Sequence, residues 1–447
     1  MASAAEQLAA NVNLGAFAKA TELKKRIWFT LGALIVYRIG TYIPIPGIDP
    51  AALADIFQQQ QGGFLDMINA FSGGALGRMT IFALNIMPYI SASIIMQLMT
   101  TESPHLEQLK KEGEQGRKKM NQYTRYGTVV LTIVQAYGIA VGLEGLSSNV
   151  GSVVIDPGVF FRFTAVVTLT GGTIFLMWLG EQITARGVGN GISLIIFAGI
   201  VAELPRALAS TLELGRTGAL STLLIVFLIV MVIFTITFIV FVERAQRRLI
   251  VQYPKRQVGN RMFGGESSHL PLKLNTAGVI PPIFASSLLL LPLTIANFSS
   301  QGGPEWLTTV TSLLGRGQPA YMFLYIGGIV FFCFFYTAIV FNPADTADNL
   351  KKYGGFIPGI RPGKRTAEYL DYVLTRLTVV GSAYLALVCL LPELLISQYA
   401  VPFYFGGTSL LIVVSVTMDT MGQVQSHLLA HQYEGLIRKS KLRGRTR

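Results

Sequence analysis

Ala219-LSTLLIVFLIVMVIFTITFIVF-Val242 is the stretch on which the reading of the fold turns. It contains no charged residue, and as a helix rising 1.5 Å per residue it crosses a hydrocarbon layer about 30 Å thick. Nine further apolar blocks surround it: Ile27–Ile43, Met79–Thr101, Tyr126–Leu143, Phe163–Gly180, Gly187–Ala202, Leu274–Phe298, Ala320–Phe341, Leu377–Pro392 and Ala400–Met418. The fifth block in chain order, Gly187–Ala202, is short and opens on three glycines and Asn190. The whole chain of 447 residues is 51% hydrophobic and 13% charged, with mean hydropathy +0.51. A water-soluble protein carries about a quarter charged residues. The expectation is an all-α polytopic membrane protein of ten transmembrane helices. The same numbers exclude a disordered chain, a coiled coil and a disulfide scaffold, since the two cysteines, Cys333 and Cys389, both lie inside apolar blocks.

Net charge is +12, and its distribution sets the topology. All but six of the 36 Lys and Arg residues fall in the tails or the even-numbered connections; the exceptions are Arg38, Arg78, Arg162, Arg206, Arg216 and Arg316. Basic connections stay on the cytoplasmic side, so both termini are expected there. Met1–Ala20 is too polar for a cleavable leader. Leu8, Val12, Leu14, Phe17 and Leu23 instead suggest an amphipathic surface helix before Lys24, Lys25 and Arg26. The spans divide at the loop Arg206–Gly218 into residues 1–205 (spans one to five) and 219–422 (spans six to ten), followed by a basic tail, 423–447. Five spans per half require the halves to be inverted if they share a fold. No internal sequence repeat is visible.

Several chemistries are missing. There is no G-x-x-x-x-G-K-S/T phosphate loop, and Gly187-Val-Gly189-Asn-Gly191 lacks dinucleotide-binding spacing. His427-Leu-Leu-Ala-His431 lacks the glutamate of a zinc protease helix, and no G-x-S-x-G elbow occurs. The sequence implies no metal, no cofactor and no enzyme. Ionisable residues inside the blocks are scarce, with Arg38 toward one end of the first and Asp419 at the end of the last. Proton-coupled carriers use midplane carboxylates or histidines, so this scarcity counts against that class.

What is present is more specific. In the second block Ile86, Ile90 and Ile94 form one helical stripe and Tyr89, Ser93 and Gln97 a polar one, with Pro88 placed to bend the helix. Ile192 and Ile196 repeat the spacing in the fifth block. Such stripes are either packing surface or the lining of a cavity. Phe64–Gly77 is apolar but too short to span, and reads either as a half-inserted segment or as a loop packed on the surface. Glu243–Lys273 and Asn342–Arg376 are long and basic. Arg247–Tyr253 alternates like a strand, and Phe356–Gly363 is a rigid turn presenting Arg361. These loops suit an anionic partner such as RNA, acidic protein or lipid headgroups, or they serve to set topology.

The stretches FSGGALGRMTIFALNIMPYISASIIMQL (Phe71–Leu98), KKEGEQGRKKMNQYTRYGT (Lys110–Thr128), GEQITARGVGNGIS (Gly180–Ser193), FNPADTADNLKKYGGFIPGIRPG (Phe341–Gly363) and VPFYFGGTSLLI (Val401–Ile412) closely resemble the bacterial SecY family, the channel subunit of the Sec protein translocase. The resemblance implies two inverted five-helix halves, a clamshell around an hourglass pore. It implies a pore ring of Ile86, Ile90, Ile192, Ile196, Ile283 and Ile412, and a plug over about 64–77 including Phe64, Phe71, Gly73 and Gly74. It implies a lateral gate along which Ser91, Gln97 and Leu291 lie, and a contact for a motor or ribosome at Lys255, Arg256 and Arg361. Asn85 stands where many members carry Gly, and Pro281-Pro282 where many carry Pro-Ala; the second is expected to stiffen the gate helix near Ile283.

The implied partners are SecE and SecG in a heterotrimer, the SecA ATPase, the ribosome, signal peptides and nascent chains, SecDF, YidC and anionic lipids. The implied location is the bacterial inner membrane. A ring of branched aliphatic side chains offers no hydrogen bonds and resists wetting, so it holds back ions yet yields to a passing polypeptide. An opening toward lipid accepts a segment of about 20 apolar residues and rejects central charges at about 3 kcal/mol each. The competing readings are a ten-span carrier of small solutes, which needs convergent polar groups at midplane, and an intramembrane hydrolase, which needs a nucleophile and a base.

Overall fold

Each of the ten apolar blocks carries a helix in the computed structural model, which describes residues 20–59, 69, 72–145, 147–148, 151–218, 221–253, 256–258, 261–263, 267–299, 318–399 and 407–443. Two compact units divide the chain, Met1–Ala207 with Val416–Arg447 and Leu208–Ser415.

The first unit begins with α1 (Thr21–Gly40) and α2 (Pro50–Gln59). Next come α3 (Met87–Glu102), α4 (Pro104–Lys111) and α5 (Glu114–Glu144). A two-stranded pair, β1 (Ser147–Ser148) with β2 (Gly151–Ser152), leads into α6 (Val159–Arg186) and α7 (Gly191–Arg216). The α5–α6 hairpin is pinned at both ends by a carboxylate gripping a guanidinium. Arg162 donates to Glu144 Oε2 through Nε at 2.8 Å and Nη2 at 2.6 Å, while Gly158 N donates to Oε1 at 3.0 Å. At the other end Arg125 donates to both oxygens of Glu181 at 2.8 and 2.7 Å. Between these ends an aromatic column runs from Tyr37 through Phe82 and Phe175 to Trp178, with ring centres 6.1, 5.9 and 5.8 Å apart.

The second unit contains α8 (Thr222–Arg244), the strands β3 (Gln246–Gln252), β4 (Arg256–Val258), β5 (Arg261–Phe263) and β6 (Ser267–Lys273), then α9 (Ile280–Ser299). It continues through α10 (Pro319–Val340), α11 (Pro343–Lys352) and α12 (Lys364–Tyr399). The last helix, α13 (Gly407–Arg443), starts in this unit and ends in the first. Among the described residues six helices are long and apolar enough to cross a bilayer, by length and composition: α5, α6, α7, α8, α10 (with α11 in its span) and α12. The remaining four blocks fall on α1, α3, α9 and α13.

The structure departs from expectation at three places. Pro88 does not bend a helix, because α3 starts at Met87 and Pro88 sits in its first turn, where the missing N–H has no intrahelical acceptor to lose. Pro281 and Pro282 likewise open α9 rather than stiffen its interior. The loop expected at Arg206–Gly218 is helical to Arg216, because Ala207, Leu208 and Leu212 favour helix and Pro205 removes a single donor. The surface helix expected before Lys24 has Leu8, Val12, Leu14 and Phe17 outside the described residues, whereas Leu23 is a buried residue of α1.

Candidate functional site

Residues 72–86 form no regular helix; they are a chain of tight turns closed by unusually specific hydrogen bonds. Asn69 organises the first turn: its backbone oxygen accepts from Gly74 N at 2.9 Å and from the Ser72 hydroxyl at 2.9 Å, and its Oδ1 accepts from Gly77 N at 2.6 Å. Leu76 N then donates to Ser72 Oγ at 3.1 Å. Gly73 and Gly74 take φ of +66° and +80°, conformations that a side chain disfavours. The segment docks on the chain that follows α1, where Ile45 N donates to Met79 O and Ile81 N to Ile43 O, both at 3.0 Å. Arg38 Nη1 donates to Gly73 O at 2.7 Å, and Arg78 donates to the same oxygen at 3.1 Å and to Thr41 O at 3.2 Å. Both guanidiniums stand over the Tyr42 ring, at 5.0 and 4.2 Å from its centre. Of the expected plug residues, Gly73 and Gly74 are thus placed and buried, while Phe64 and Phe71 lie outside the described residues.

The next residues turn this segment into α3. Asn85 has φ +49°, so the backbone there is left-handed; asparagine tolerates that region better than other side chains, which accounts for Asn in a position that otherwise suits Gly. Ile86 is the helix cap and is 1% exposed; Ile90, Ser91 and Ile94 follow on the buried side of α3. Gln97 is half-buried, its Nε2 donating to Ser93 Oγ at 3.5 Å, and its Oε1 has no hydrogen-bond partner among the described residues. On α7, Ile196 is buried and Ile192 half-buried. In the second unit Ile283 is half-buried near the start of α9 and Ile412 is 1% exposed on α13. Leu291 belongs to the backbone of α9.

The basic loops of the second unit fold into one platform. β3 pairs antiparallel with β6, Leu249 opposite Leu270, as the alternation of Arg247–Tyr253 predicts. Gln252 and Phe356 exchange two backbone hydrogen bonds at 2.9 Å, which joins the second loop to this hairpin. Beneath lies a cluster of Leu249, Leu272, Ile357, Leu370, Val373 and Leu374. On the outside Arg247, Arg248, Lys273, Arg361, Lys364 and Arg365 are all exposed. The turn carrying Arg361 is fixed through its carbonyl, which accepts from Thr366 Oγ1 at 2.9 Å. Arg256 lies on the short strand β4, and Lys255 lies outside the described residues.

Sequence reasoning missed Glu203, which is 5% exposed within α7. Ending the fifth block at Ala202 left it outside the span. The signal was available: Ile192, Ile196, Gly199 and Glu203 share one helical face. His427 lies on α13, and among the described residues no three His, Cys, Asp or Glu side chains assemble as a metal site.

Comparison with known proteins gives the family and the fold. The SecY family matches residues 80–421. The protein translocase subunit SecY of Escherichia coli is 59% identical over 424 residues, covering 95% of this chain and 96% of that protein. The chain belongs to the SecY family. A second SecY relative, from Rickettsia conorii, is 58% identical over 422 residues, covering 94% of this chain and 97% of its own. The fold matches a solved protein-conducting channel with TM-score 0.61 at 18% identity, covering 92% of this chain and 93% of that one. It also matches Sec61 in a canine ribosome–channel complex from the endoplasmic reticulum, with TM-score 0.58 at 18% identity and the same coverage. Family and helices together make this a multi-pass membrane protein with a channel fold and no enzyme's role.

Proposed function

We infer that this chain is the protein-conducting channel of a Sec translocase, passing unfolded preproteins across the membrane and releasing apolar helices sideways into lipid. The observation that carries the reading is the 59% identity, over 95% of the chain, to a protein translocase subunit. In this reading residues 1–205 and 219–422 are inverted halves and 423–447 is a basic tail. Ile86, Ile90, Ile192, Ile196, Ile283 and Ile412 ring the pore. Their branched, hydrogen-bond-free side chains suit a constriction that must reject ions at rest and accept any sequence in transit. The burial of Ile86, Ile90, Ile196 and Ile412 supports a protein-facing rather than lipid-facing role. Phe64, Phe71, Gly73 and Gly74 belong to the plug, and Ser91, Gln97 and Leu291 line the lateral gate. The unpaired Oε1 of Gln97 supports a place where a polar group awaits a changing partner.

With no phosphate loop in the sequence, driving force comes from partners. Arg361, with Arg256 and Lys255, receives the SecA ATPase or the ribosome; a relative in fold was solved on a ribosome, and the exposed basic platform suits both. SecE and SecG complete the heterotrimer, signal peptides and nascent chains are the clients, and SecDF and YidC act alongside. Anionic lipids meet the basic loops at the cytoplasmic face of the inner membrane, where both termini lie.

Reconstitution tests the reading against its competitor. Purified complex in proteoliposomes is expected to protect a preprotein from protease only with SecA and ATP. Solute counterflow without a motor, and no protected preprotein, would instead identify a small-solute carrier.

A further inference from the structure

We propose that Glu203 latches the turn segment 72–79 against α7 and thereby sets how readily the channel opens. The proposal rests on the channel reading above, in which that segment helps to close the pore. Glu203 is 5% exposed on α7, between Ile200 and Ala207 on its buried side, with the exposed Arg206 three residues on. A carboxylate about 18 Å along such a helix is retained only where a countercharge faces it. The turn segment brings the guanidinium of Arg78 to the same glycine that Glu203 approaches. A side chain added at Gly74 would place its Cβ 2.5 Å from Glu203 Oε1 and 2.8 Å from Arg78 Nη2, so the two charged groups flank the same glycine without closing to an ion pair.

The same contact repeats one residue earlier. A Cβ at Gly73 would lie 2.9 Å from Gly199 Cα and 3.2 Å from Gly199 O, so loop and helix backbones touch. Arg78 is itself aimed by hydrogen bonds to Gly73 O at 3.1 Å and Thr41 O at 3.2 Å, and Arg38 grips Gly73 O at 2.7 Å. Among the described residues the Glu203 carboxylate takes no hydrogen bond and closes no ion pair, so its hold on the segment is its contact with the Gly74 backbone and a longer-range attraction to Arg78. Such a latch keeps the segment seated at rest and gives way when the backbone of 72–79 moves, with no covalent or strongly directional contact to break.

The test uses the reconstituted complex with four variants: Glu203→Gln, Glu203→Asp, Arg78→Gln and the Glu203→Gln/Arg78→Gln pair. The readouts are ion conductance of the idle channel in planar bilayers and export of a preprotein with an intact or a defective signal peptide. Glu203→Gln keeps the shape and removes the charge, and is expected to raise idle conductance about fivefold, the factor that about 1 kcal/mol contributes to a two-state equilibrium. It also allows the defective signal peptide through, while export of the intact preprotein is unchanged. Glu203→Asp stays near wild type, and the double variant leaks no more than the leakier single one. If Glu203→Gln fails to assemble, Arg78→Gln decides by the same readouts. A competent wild type with no change in either single variant, or strictly additive leaks, overturns the latch alone. A wild type that exports no preprotein overturns the channel reading and the latch with it.

Discussion

The turn segment 72–86 and the basic platform of the second unit are both irregular in sequence, but they are held together by different means. The platform is a ladder: seven antiparallel pairs between β3 and β6, laid over an apolar cluster that includes Leu370 at 0% exposure. The turn segment has no ladder, and depends on individual hydrogen bonds, four residues with positive φ, and two arginines on one carbonyl. A ladder over a core tolerates surface change and presents fixed charges outward. A set of single contacts can be undone together, which suits a part that must move. In the proposed reading the two regions divide the work, docking on one and sealing on the other, and mutations in one are expected to leave the other's readout untouched.

The largest expected effect is on the platform. Arg361→Glu reverses an exposed charge without touching the Thr366 hydrogen bond to the backbone carbonyl, so the complex assembles. SecA-driven export is expected to fall at least about tenfold, as for an interfacial arginine meeting like charge, with idle conductance unchanged. Normal export by this variant breaks the assignment. On the sealing side, Ile86→Asn and Ile412→Gly are expected to raise idle conductance several-fold and relax signal-peptide selectivity, while SecA binding to the complex is retained. An unaltered conductance in planar bilayers would contradict the ring.

Smaller effects sharpen the contrast in stability. Leu370→Ala removes a fully buried side chain under the hairpin and is expected to cost about 2–5 kcal/mol, read as a lower melting temperature of purified complex. Glu144→Gln loosens the far end of the α5–α6 hairpin and is expected to cost about 1 kcal/mol, because Arg162 is partly exposed. The smallest belongs to α8: Ile233 is 60% exposed on an outward face, and Ile233→Leu is expected to stay within about 0.5 kcal/mol of wild type.

The sequence was most legible where one property decided the structure. The charge-free run behind α8 reads as a span from hydropathy alone, and the alternation of Arg247–Tyr253 reads as the strand β3. Legibility failed where tertiary contacts outvoted local pattern. Pro88 looked like a bend and Pro281-Pro282 like a stiffening of the helix near Ile283, because the start of a helix, which makes them harmless, depends on the turns before it. The fifth apolar block ends at Ala202 although the helix continues through Pro205 to Arg216, and that boundary hid Glu203. The two arginines on Gly73 O could not be paired from sequence either, since Arg38 and the glycine are far apart in the chain and meet only when residues 43–45 dock against 79–81.

A ring of isoleucines that seals the pore must touch the polypeptide moving through it. With Cys333 and Cys389 replaced by Ser, single cysteines at Ile86, Ile196 and Ile412, and a control at Phe234 on α8, can be crosslinked to a secretory chain stalled in transit. Adducts at all three ring positions and none at Phe234, which is 69% exposed on its helix, are the predicted result. A stalled chain that crosslinks to Phe234 and to none of the three isoleucines would contradict it.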